Sequence, residues 1–312
     1  MPEHRGTTSP ADQQTVLAEV NARIGTHYRW CRRLDGGEQG GAHVVVDRGR
    51  SVVLTWEPPG RRSDQLRRAF PVVVRAIAGG WAAARWLTWG ELAGGGTFLL
   101  QEHVPGTPMT RLDLAAARAV LAANETQSGL AFPDARDDSD HLDAVLVGDH
   151  PWKADVAGFT PAGAALVRHG DEVVARVGRA SIPRDDLVHG DHSSANVLLD
   201  RDRGELTATL VDCQTVGRGS RVRDLADLYR QTFLHPGVDG DGRDLLRAAA
   251  CGVAGPAVFA RCVVAVTYDN LAWWVEHRSA AEFDRACGRL HRLFAGLEGT
   301  NPGPASPSGR GR

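Results

Sequence analysis

The sequence predicts an α+β fold with a β-rich amino-terminal part and a mostly helical carboxy-terminal part. Short β-branched runs, separated by glycine and charged turn residues, fill most of the first hundred residues. Segments with the character of helices dominate the remainder. One β-hairpin interrupts them, with NVLLD and LTATLVD as strands and RDRGE as the polar turn.

The amino-terminal part is predicted as a β-meander, a helix and two further strands. The helix covers 63–77, with Ser63 as N-cap, and Pro71 is expected to end or kink it. DGGEQGGA and RGR are the turns of the meander. The predicted strands are YRWCRRL, HVVVD, SVVLTWE, ARWLTWG and TFLLQEHV.

The carboxy-terminal part is predicted to be helical around the hairpin. Residues 13–104 and 105–299 are expected to form two lobes, and a cleft between lobes is a natural ligand site. Residues 1–12 and 300–312 are rich in Pro, Gly and Ser and are predicted to be disordered. The candidate helices cover roughly 111–126, 161–179, 222–233, 242–251, 256–277 and 280–296.

The composition excludes several classes of protein. A formal net charge of −2 over 312 residues gives no broad attraction to nucleic acid or to anionic membranes. The five cysteines are scattered and form no C-x-x-C pair, which argues against a disulfide framework or a zinc site. The chain begins without an apolar signal segment and has no window of 18 uninterrupted apolar residues. We therefore expect a cytoplasmic protein without a membrane span.

The densest cluster of reactive side chains lies in LVHGDHSSANVLLD (187–200), which LVDCQ (210–214) follows across the hairpin. If the hairpin turns about 203–204, residues whose numbers sum to 408 lie opposite one another, and Asn196 faces Asp212. Directly opposed residues have Cβ atoms about 5 Å apart on one face. Two such oxygen ligands are what Mg²⁺ on nucleotide phosphates requires. The sequence therefore predicts a magnesium site at the open end of the hairpin.

Asp191 lies in the loop just before this hairpin. A carboxylate beside a metal site can orient an attacking hydroxyl and accept its proton. Asp followed five residues later by Asn is the spacing in the catalytic loop of phosphoryl-transfer enzymes. For an isolated H-x-D the simpler interpretation is a turn. The combination of Asp191 with Asn196 and Asp212 favours a catalytic site.

These segments, with their H-G-D-x-x-x-x-N loop and the strand-end Asp of LVDCQTVGRGSRVRDLADLY, resemble the aminoglycoside phosphotransferase and choline kinase family. The resemblance implies a protein-kinase-like two-lobed fold, ATP or GTP as co-substrate and Mg²⁺ as cofactor. By resemblance Asp191 is the catalytic base, and Asn196 and Asp212 hold Mg²⁺. Asp224, in the continuation G-x-x-x-x-D-L-A, braces the start of a helix near the loop.

Weaker similarity over 86–109 implies that TFLLQEHV contains the hinge between the lobes, whose backbone meets the adenine. The residues assigned to nucleotide binding are Gln101, Glu102, His103 and Val104.

Further residues are candidates for support and for substrate contact. His189 is expected to support the loop by a hydrogen bond, and His192 to line the substrate cleft. Trp273 and Trp274 face different sides of a helix, so one is expected in the core, and the other could wall a substrate pocket together with Asp269. The acidic segment FPDARDDSDHLD (132–143) is either a solvated loop or an attractor of a polycationic substrate.

The sequence departs from the family at the phosphate-binding position. The family has a lysine on the third strand, whereas this chain reads VVLTW with Thr55 there. The following helix contains no Glu, and Lys153, the only lysine of the chain, lies outside the amino-terminal part. Arginine binds phosphates with a different geometry. The candidates, among which the sequence does not choose, are Arg48, Arg50, Arg61 and Arg62.

The sequence therefore favours transfer of the γ-phosphoryl group of a nucleoside triphosphate to a hydroxyl of a small molecule. The acceptor is expected to be an antibiotic, which would confer resistance, or a biosynthetic intermediate. The alternative is a catalytically impaired kinase-like binding or regulatory module, since Thr55 replaces the expected lysine.

Overall fold

The amino-terminal part is built on an antiparallel sheet with strand order β1-β2-β3-β5-β4. The computed structural model describes residues 10–34, 41–148, 150–202, 204–235 and 240–298. The elements of this part are α1 (Pro10–Ile24), β1 (Arg29–Arg33), β2 (His43–Asp47), β3 (Arg50–Glu57), α2 (Arg61–Ala78), β4 (Trp86–Glu91) and β5 (Thr97–Glu102). The five predicted strands are confirmed. Most of DGGEQGGA and the segment 300–312 lie outside the described residues.

The two faces of this sheet have different neighbours. Alternate residues of a strand point to opposite faces. Val52 and Leu54 of β3 are buried in a small apolar cluster with residues of α1. Thr55 and Glu57 point to the other face, as does Leu99, the partner of Thr55, which packs in the large core with α2. The face that carries Thr55 and Glu57 is therefore turned toward the rest of the protein.

Helix α1 was not predicted. It begins at Pro10, three residues inside the segment 1–12 for which the sequence predicts disorder. Leu17 and Val20 are buried against the sheet. The polar residues of α1 obscure its apolar face in the sequence, and only contact with the sheet explains its position.

Helix α2 is longer than predicted. It begins at Arg61, with Gly60 rather than Ser63 at the N-cap position, because the Ser63 hydroxyl instead donates to the carbonyl of Pro58 at 2.9 Å. The helix also continues through Pro71, which is exposed. Buried residues on both sides of the proline hold the helix against the core. They are Leu66, Ala69, Val72, Val73 and Ala76.

The carboxy-terminal part is mostly helical, so the predicted fold class is confirmed. Helices α4 and α5 were missed because both are short. The elements are β6 (Thr107–Pro108), α3 (Leu114–Glu125), β7 (Arg136–Asp137), α4 (Asp138–Leu146), α5 (Pro151–Phe159), α6 (Pro161–Val177), β8 (Asp186–Val188), β9 (Val197–Asp202), β10 (Glu205–Leu210), β11 (Gly217–Gly219), α7 (Val222–Leu234), α8 (Gly242–His277) and α9 (Ala280–Glu298).

Helix α8 is the central helix of this part. It joins the two helices predicted over 242–251 and 256–277, with a break at Gly255 before Pro256. Among the described residues it is the one helix that is long and apolar enough to cross a membrane by length and composition. More than half of its apolar window is buried, against helices that include α3, α5 and α7. Its apolar character is therefore accounted for by its place in the core.

Main-chain hydrogen bonds join the two parts on either side of β4 and β5. After β5 the chain enters β6, which pairs with β9. Before β4, the amide of Ala84 donates to the carbonyl of Leu210 at 2.9 Å, and the amide of Leu210 donates to that of Ala82 at 2.9 Å. The β9–β10 hairpin consequently lies against the amino-terminal part, and the loop that precedes it lies at the junction.

Candidate active site

The loop that carries Asp191 begins at the end of a paired strand. Val188 of β8 pairs with Gly217 of β11. Gly190 follows with φ +86°, and a Cβ atom there would lie 2.5 Å from the carbonyl oxygen of Thr215. Only glycine accommodates both the left-handed backbone and this close approach. The chain therefore turns sharply immediately before Asp191.

Asp224 in the first turn of α7 holds this loop in place. Its Oδ2 accepts the amide of His189 and Nε2 of Gln127, each at 2.7 Å, and its Oδ1 accepts the amide of Gly190 at 3.1 Å. The side chain is fully buried, 3.6 Å from Nη1 of Arg223. Burial acts to raise the pKa of Asp224, but the basic side chains and hydrogen bonds around it lower the pKa overall. The carboxylate is therefore ionised and ties α7 to the loop.

Asn196 is in direct contact with Asp191. Its Nδ2 donates to Oδ2 of Asp191 at 3.1 Å and to the carbonyl of Asp191 at 2.9 Å, so the amide oxygen Oδ1 is the atom of this side chain that could bind a cation. The Asp191 side chain keeps an exposed face between the surrounding elements. Burial on its other sides, with the charges of Asp227 and Asp212, raises the pKa of Asp191 to about 6. The geometry presents a basic oxygen to solvent, held by an amide.

The predicted register of the hairpin is wrong by one residue. Val197 pairs with Leu210 and Asp202 with Glu205, so opposed residue numbers sum to 407. The strands therefore pair one residue earlier than predicted, and a shift of one residue changes which side chains are opposed. Asn196 consequently lies opposite Val211, whose amide donates to its carbonyl at 3.0 Å.

Asp212 is positioned by its own backbone conformation and not by the strand pairing. It follows the end of β10 with φ +58° and ψ +53°, a left-handed conformation that turns the chain out of the strand. Its charge contributes to the raised pKa of Asp191, which places the two carboxylates in one electrostatic environment. The three predicted residues thus come together around Asp191, with Asn196 bonded to it and Asp212 acting on it through space.

This donor set fits Mg²⁺. Asp212 is exposed, and within the described ranges it has no ion pair and no side-chain hydrogen bond. Its carboxylate and Oδ1 of Asn196 are hard oxygen ligands, and a divalent cation held by them would offset the repulsion between Asp212 and the nearby Asp191 carboxylate. In the described part of the chain, no three His, Cys, Asp or Glu side chains are grouped as ligands of a metal.

The two histidines of the loop have different surroundings. His189 is buried, its Nε2 lies 2.9 Å from the carbonyl of Val211, and its carbonyl accepts the Thr215 hydroxyl at 3.0 Å. His192, predicted to line the substrate cleft, is fully buried, and burial lowers its pKa to about 4. The prediction for His192 is wrong, because the packing around α7 encloses its ring.

Apart from Asp269, sequence reasoning missed a network of acidic and basic side chains beside the loop. Asp227 on α7 contributes to the raised pKa of Asp191 and accepts Nη2 of Arg230 at 2.5 Å. Arg223 is buried and contacts Asp269, with Nη2 to Oδ2 at 3.4 Å. Burial raises the pKa of Asp269. The Asp at the third position after Asp224 was the available signal, since residues three apart share a helix face.

Trp273 contacts the end of its own helix. Its ring stacks on His277 with centroids 4.2 Å apart, and the guanidinium of Arg278 lies 5.3 Å from its centroid. The structure therefore places Asp269 beside the network at the loop, and Trp273 in a separate group of rings at the end of α8.

The acidic segment 132–143 is largely neutralised by arginines. Asp137 accepts Nη2 of Arg218 at 2.9 Å, and Asp143 accepts Nη2 of Arg261 at 2.8 Å. Its residues 138–143 lie in α4 rather than in a loop. This pairing leaves little net field to attract a polycation, which disfavours the substrate-attracting interpretation.

The predicted hinge lies where the strand pairing of β5 stops. Gln101 and Glu102 are still paired, with Val53 and Val52 of β3. Residues 103 and 104 follow the strand and precede β6. Their main chain lies outside the ladder, at the passage between the two parts. A ligand placed there could meet main-chain donors and acceptors.

Comparison with known proteins identifies this architecture. No protein-family model matches the chain, and no curated protein does. Among solved structures, a thermostable mutant of aminoglycoside phosphotransferase APH(4)-Ia in its apo form aligns over 91% of this chain and 99% of its own, with 17% identity and a TM-score of 0.63. The chain has the aminoglycoside phosphotransferase fold.

Two further structures share the aminoglycoside phosphotransferase fold with this chain. A ternary complex of APH(4)-Ia with AMP-PNP and hygromycin B aligns over 92% of this chain and 100% of its own, with 16% identity and a TM-score of 0.64. A microcompartment-associated aminopropanol kinase aligns over 91% and 96%, with 17% identity and a TM-score of 0.66. The predicted kinase-like two-lobed fold is confirmed.

Gly190 offers a test of the loop within this aminoglycoside phosphotransferase fold. Gly190→Ala is expected to lower the free energy of unfolding by about 2–4 kcal/mol, because the backbone strain is combined with a contact to a main-chain oxygen. Gly49→Ala is the matched control, with φ +80° and open space around the added Cβ, and should cost about 1–2 kcal/mol. Urea denaturation measures both. Equal losses would contradict the tight contact at Gly190.

Proposed function

We propose that the chain belongs to the aminoglycoside phosphotransferase and choline kinase family and transfers the γ-phosphoryl group of ATP or GTP to a hydroxyl of a small molecule. The observation that supports this most directly is the arrangement around Asp191. Asn196 holds its carboxylate at 3.1 Å, and Asp212 acts on it electrostatically. A base with two neighbouring oxygen ligands is what phosphoryl transfer to a hydroxyl requires.

Each residue of the site has a distinct role in this proposal. Asp191 orients the acceptor hydroxyl and accepts its proton as the new O–P bond forms and the bond from the γ-phosphorus to the leaving ADP or GDP breaks. The hydrogen bond from Asn196 keeps that carboxylate in one orientation. Oδ1 of Asn196 and the carboxylate of Asp212 would hold Mg²⁺. The bound ion supplies charge neutralisation on the transferring phosphates. Positioning and electrostatics thus account for the catalysis.

The nucleotide and the acceptor would approach this centre from two sides. The main chain of His103 and Val104, at the end of β5, would meet the base of the nucleotide. Asp269 and Asp227 lie on the side of α7 and α8, and Asp269 keeps part of its carboxylate exposed. Exposed acidic oxygens favour an acceptor that carries an amino group as well as a hydroxyl. An aminoglycoside or an amino alcohol meets that description, and the first of these would make the activity one of antibiotic resistance.

One observation favours a second candidate function. Thr55 stands where the family has its phosphate-binding lysine, so the chain could be a kinase-like module that binds a ligand without turnover. The two functions differ in a single assay. ADP or GDP release is followed with Mg²⁺-ATP or Mg²⁺-GTP and a panel of aminoglycosides, amino alcohols and neutral polyols. Release that depends on an acceptor supports the enzyme, whereas nucleotide binding without release by any acceptor supports the module.

Replacing Asp212 tests the metal site. Asp212→Asn removes one negative ligand, so the Mg²⁺ concentration that gives half-maximal turnover should rise by about 10-fold or more, because the affinity of an oxygen site for a divalent cation depends on the charge of its ligands. Asp200→Asn, on β9 of the same hairpin, is the matched control and should leave the Mg²⁺ requirement unchanged. An unaltered requirement in Asp212→Asn would remove Asp212 from the metal site.

A further inference from the structure

An ion pair joins β3 to α2 with charges opposite to those the resemblance implies. The expected arrangement has a lysine on the strand and a Glu on the helix. Here Glu57 is on β3 and Arg62 is in the first turn of α2, with Nε of Arg62 3.2 Å from Oε1 of Glu57. Thr55, at the expected lysine position, lies two residues before Glu57 and on the same face of the sheet. The same two elements are thus connected with the signs exchanged.

This ion pair lies beside the metal-binding end of the site. The Glu57 side chain is only 12% exposed. Its pKa is raised by burial and by the charge of Asp212, while Arg62 and a hydrogen bond from Gln214 act in the opposite direction. Gln214 belongs to the turn 213–215, directly after Asp212, and α2 packs against that turn. Strand, helix and turn therefore bring the pair close to Asp212.

The other candidate arginines of the amino-terminal part are placed differently. Arg48 and Arg50 lie at the opposite end of β3, where Val52 pairs with Glu102 at the hinge. Arg50 and Glu57 are the two ends of β3, seven residue steps apart, a span of about 23 Å. They are therefore at the side where the nucleotide base would bind.

Arg61 adjoins Arg62 in the chain but differs from it in its surroundings. Its side chain is exposed, and within the described part of the chain the ion pair of Glu57 is with Arg62. Of the four arginines that the sequence left as candidates, Arg62 is the one that the described contacts join to Glu57, whose surroundings include Asp212 and Gln214.

We propose that Arg62 binds the phosphates of the nucleotide in place of the absent lysine, and that Glu57 positions it. This inference rests on the proposed phosphotransferase function. A guanidinium is planar and can donate two parallel N–H bonds to phosphate oxygens. Glu57 engages Nε and so orients the plane of the guanidinium group. Asp191, Asp212 and Glu57 make the site acidic, and a triphosphate entering it needs a cation in addition to Mg²⁺.

The test compares binding of nucleotides and nucleosides by calorimetry. Arg62→Ala should weaken the binding of Mg²⁺-ATP or Mg²⁺-GTP by about 10- to 100-fold, the range expected for loss of a hydrogen bond to a charged group. The affinity for adenosine or guanosine should change by less than about twofold, because a nucleoside has no phosphate. Arg61→Ala makes the same change of charge one residue away and should leave both affinities unchanged. Glu57→Gln should weaken the binding of the triphosphate but not that of the nucleoside, and by a smaller factor than Arg62→Ala.

A second variant separates loss of a contact from loss of structure. Thr55→Lys in the Arg62→Ala background should recover most of the triphosphate affinity, since it returns a cation to the same face of β3. A wild-type chain that binds no Mg²⁺-nucleotide overturns the phosphotransferase function and this inference with it. A wild-type chain that binds and turns over, with Arg62→Ala equal to Arg61→Ala, overturns the role of Arg62 alone. Equal loss of nucleoside and triphosphate binding also overturns it.

Discussion

Asp191→Asn is expected to lower kcat by about 10²–10⁴-fold, the usual contribution of a general base, and to change the Kd for Mg²⁺-nucleotide by less than about threefold. The substitution keeps an oxygen that can accept Nδ2 of Asn196, which lies 3.1 Å from the carboxylate. It removes the group that accepts the proton of the acceptor. Turnover is measured as ADP release with the best acceptor of the panel, and affinity by calorimetry.

Asp155→Asn is the control for this variant, because Asp155 is an exposed residue of α5. It should retain the kcat and the Kd of the wild-type chain. If Asp191→Asn keeps more than a tenth of wild-type turnover, another group takes the proton and Asp191 is not the base.

Asp224→Ala is expected to lower the free energy of unfolding by about 3–5 kcal/mol. The carboxylate accepts hydrogen bonds from the amides of His189 and Gly190 and from Gln127, all in a buried environment. Its loss leaves these donors unsatisfied and leaves the buried Arg223 with one acidic neighbour fewer. Urea denaturation followed by circular dichroism measures the change.

The exposed pair of Asp64 with Arg67 provides the control for stability. Asp64→Ala removes a contact of 2.6 Å on the surface of α2 and should cost less than about 1 kcal/mol. A similar small loss in Asp224→Ala would show that the loop does not depend on Asp224.

The same residue predicts a pH dependence. Because the pKa of Asp224 is lowered in the folded state, its contribution to stability is present above the unfolded value of about 3.9 and is lost as the pH falls through the folded value. The difference in stability between the wild-type chain and Asp224→Asn should therefore be constant near neutral pH and shrink below about pH 4.

The hairpin shows how far local patterns carry a prediction. Its two strands are evident from β-branched runs around a polar turn, and the structure has them at β9 and β10. The register was wrong by one residue, because the length of the turn decides it and the sequence allows a neighbouring choice. Asp212 nevertheless reaches the site through its left-handed backbone conformation. An aspartate can adopt this conformation, but the residue type alone does not predict it.

The residues that sequence reasoning missed or assigned wrongly are those whose role depends on distant partners. In the sequence, Glu57 is an acidic residue at the end of a strand, and nothing nearby indicates that the folded chain places it beside Gln214. In the sequence, Asp227 is one acidic residue of an amphipathic helix, and its effect on Asp191 arises because α7 packs beside the loop of Asp191. His192 is a polar residue next to Asp191 in the chain, which suggests a cleft position, yet the packing of α7 buries it. In each case the partner is many residues away in the chain.

The sequence by itself determined the α+β organisation and the positions of Asp191, Asn196, Asp212 and Asp224, because strand periodicity and a spaced loop motif are local properties. Tertiary structure alone decided which side chains support those residues. It paired Arg62 with Glu57 across β3 and α2, and it placed both beside the turn that follows Asp212. The physical reason is that burial, electrostatic interactions and ion pairs depend on distances between elements, and no local sequence pattern specifies those distances.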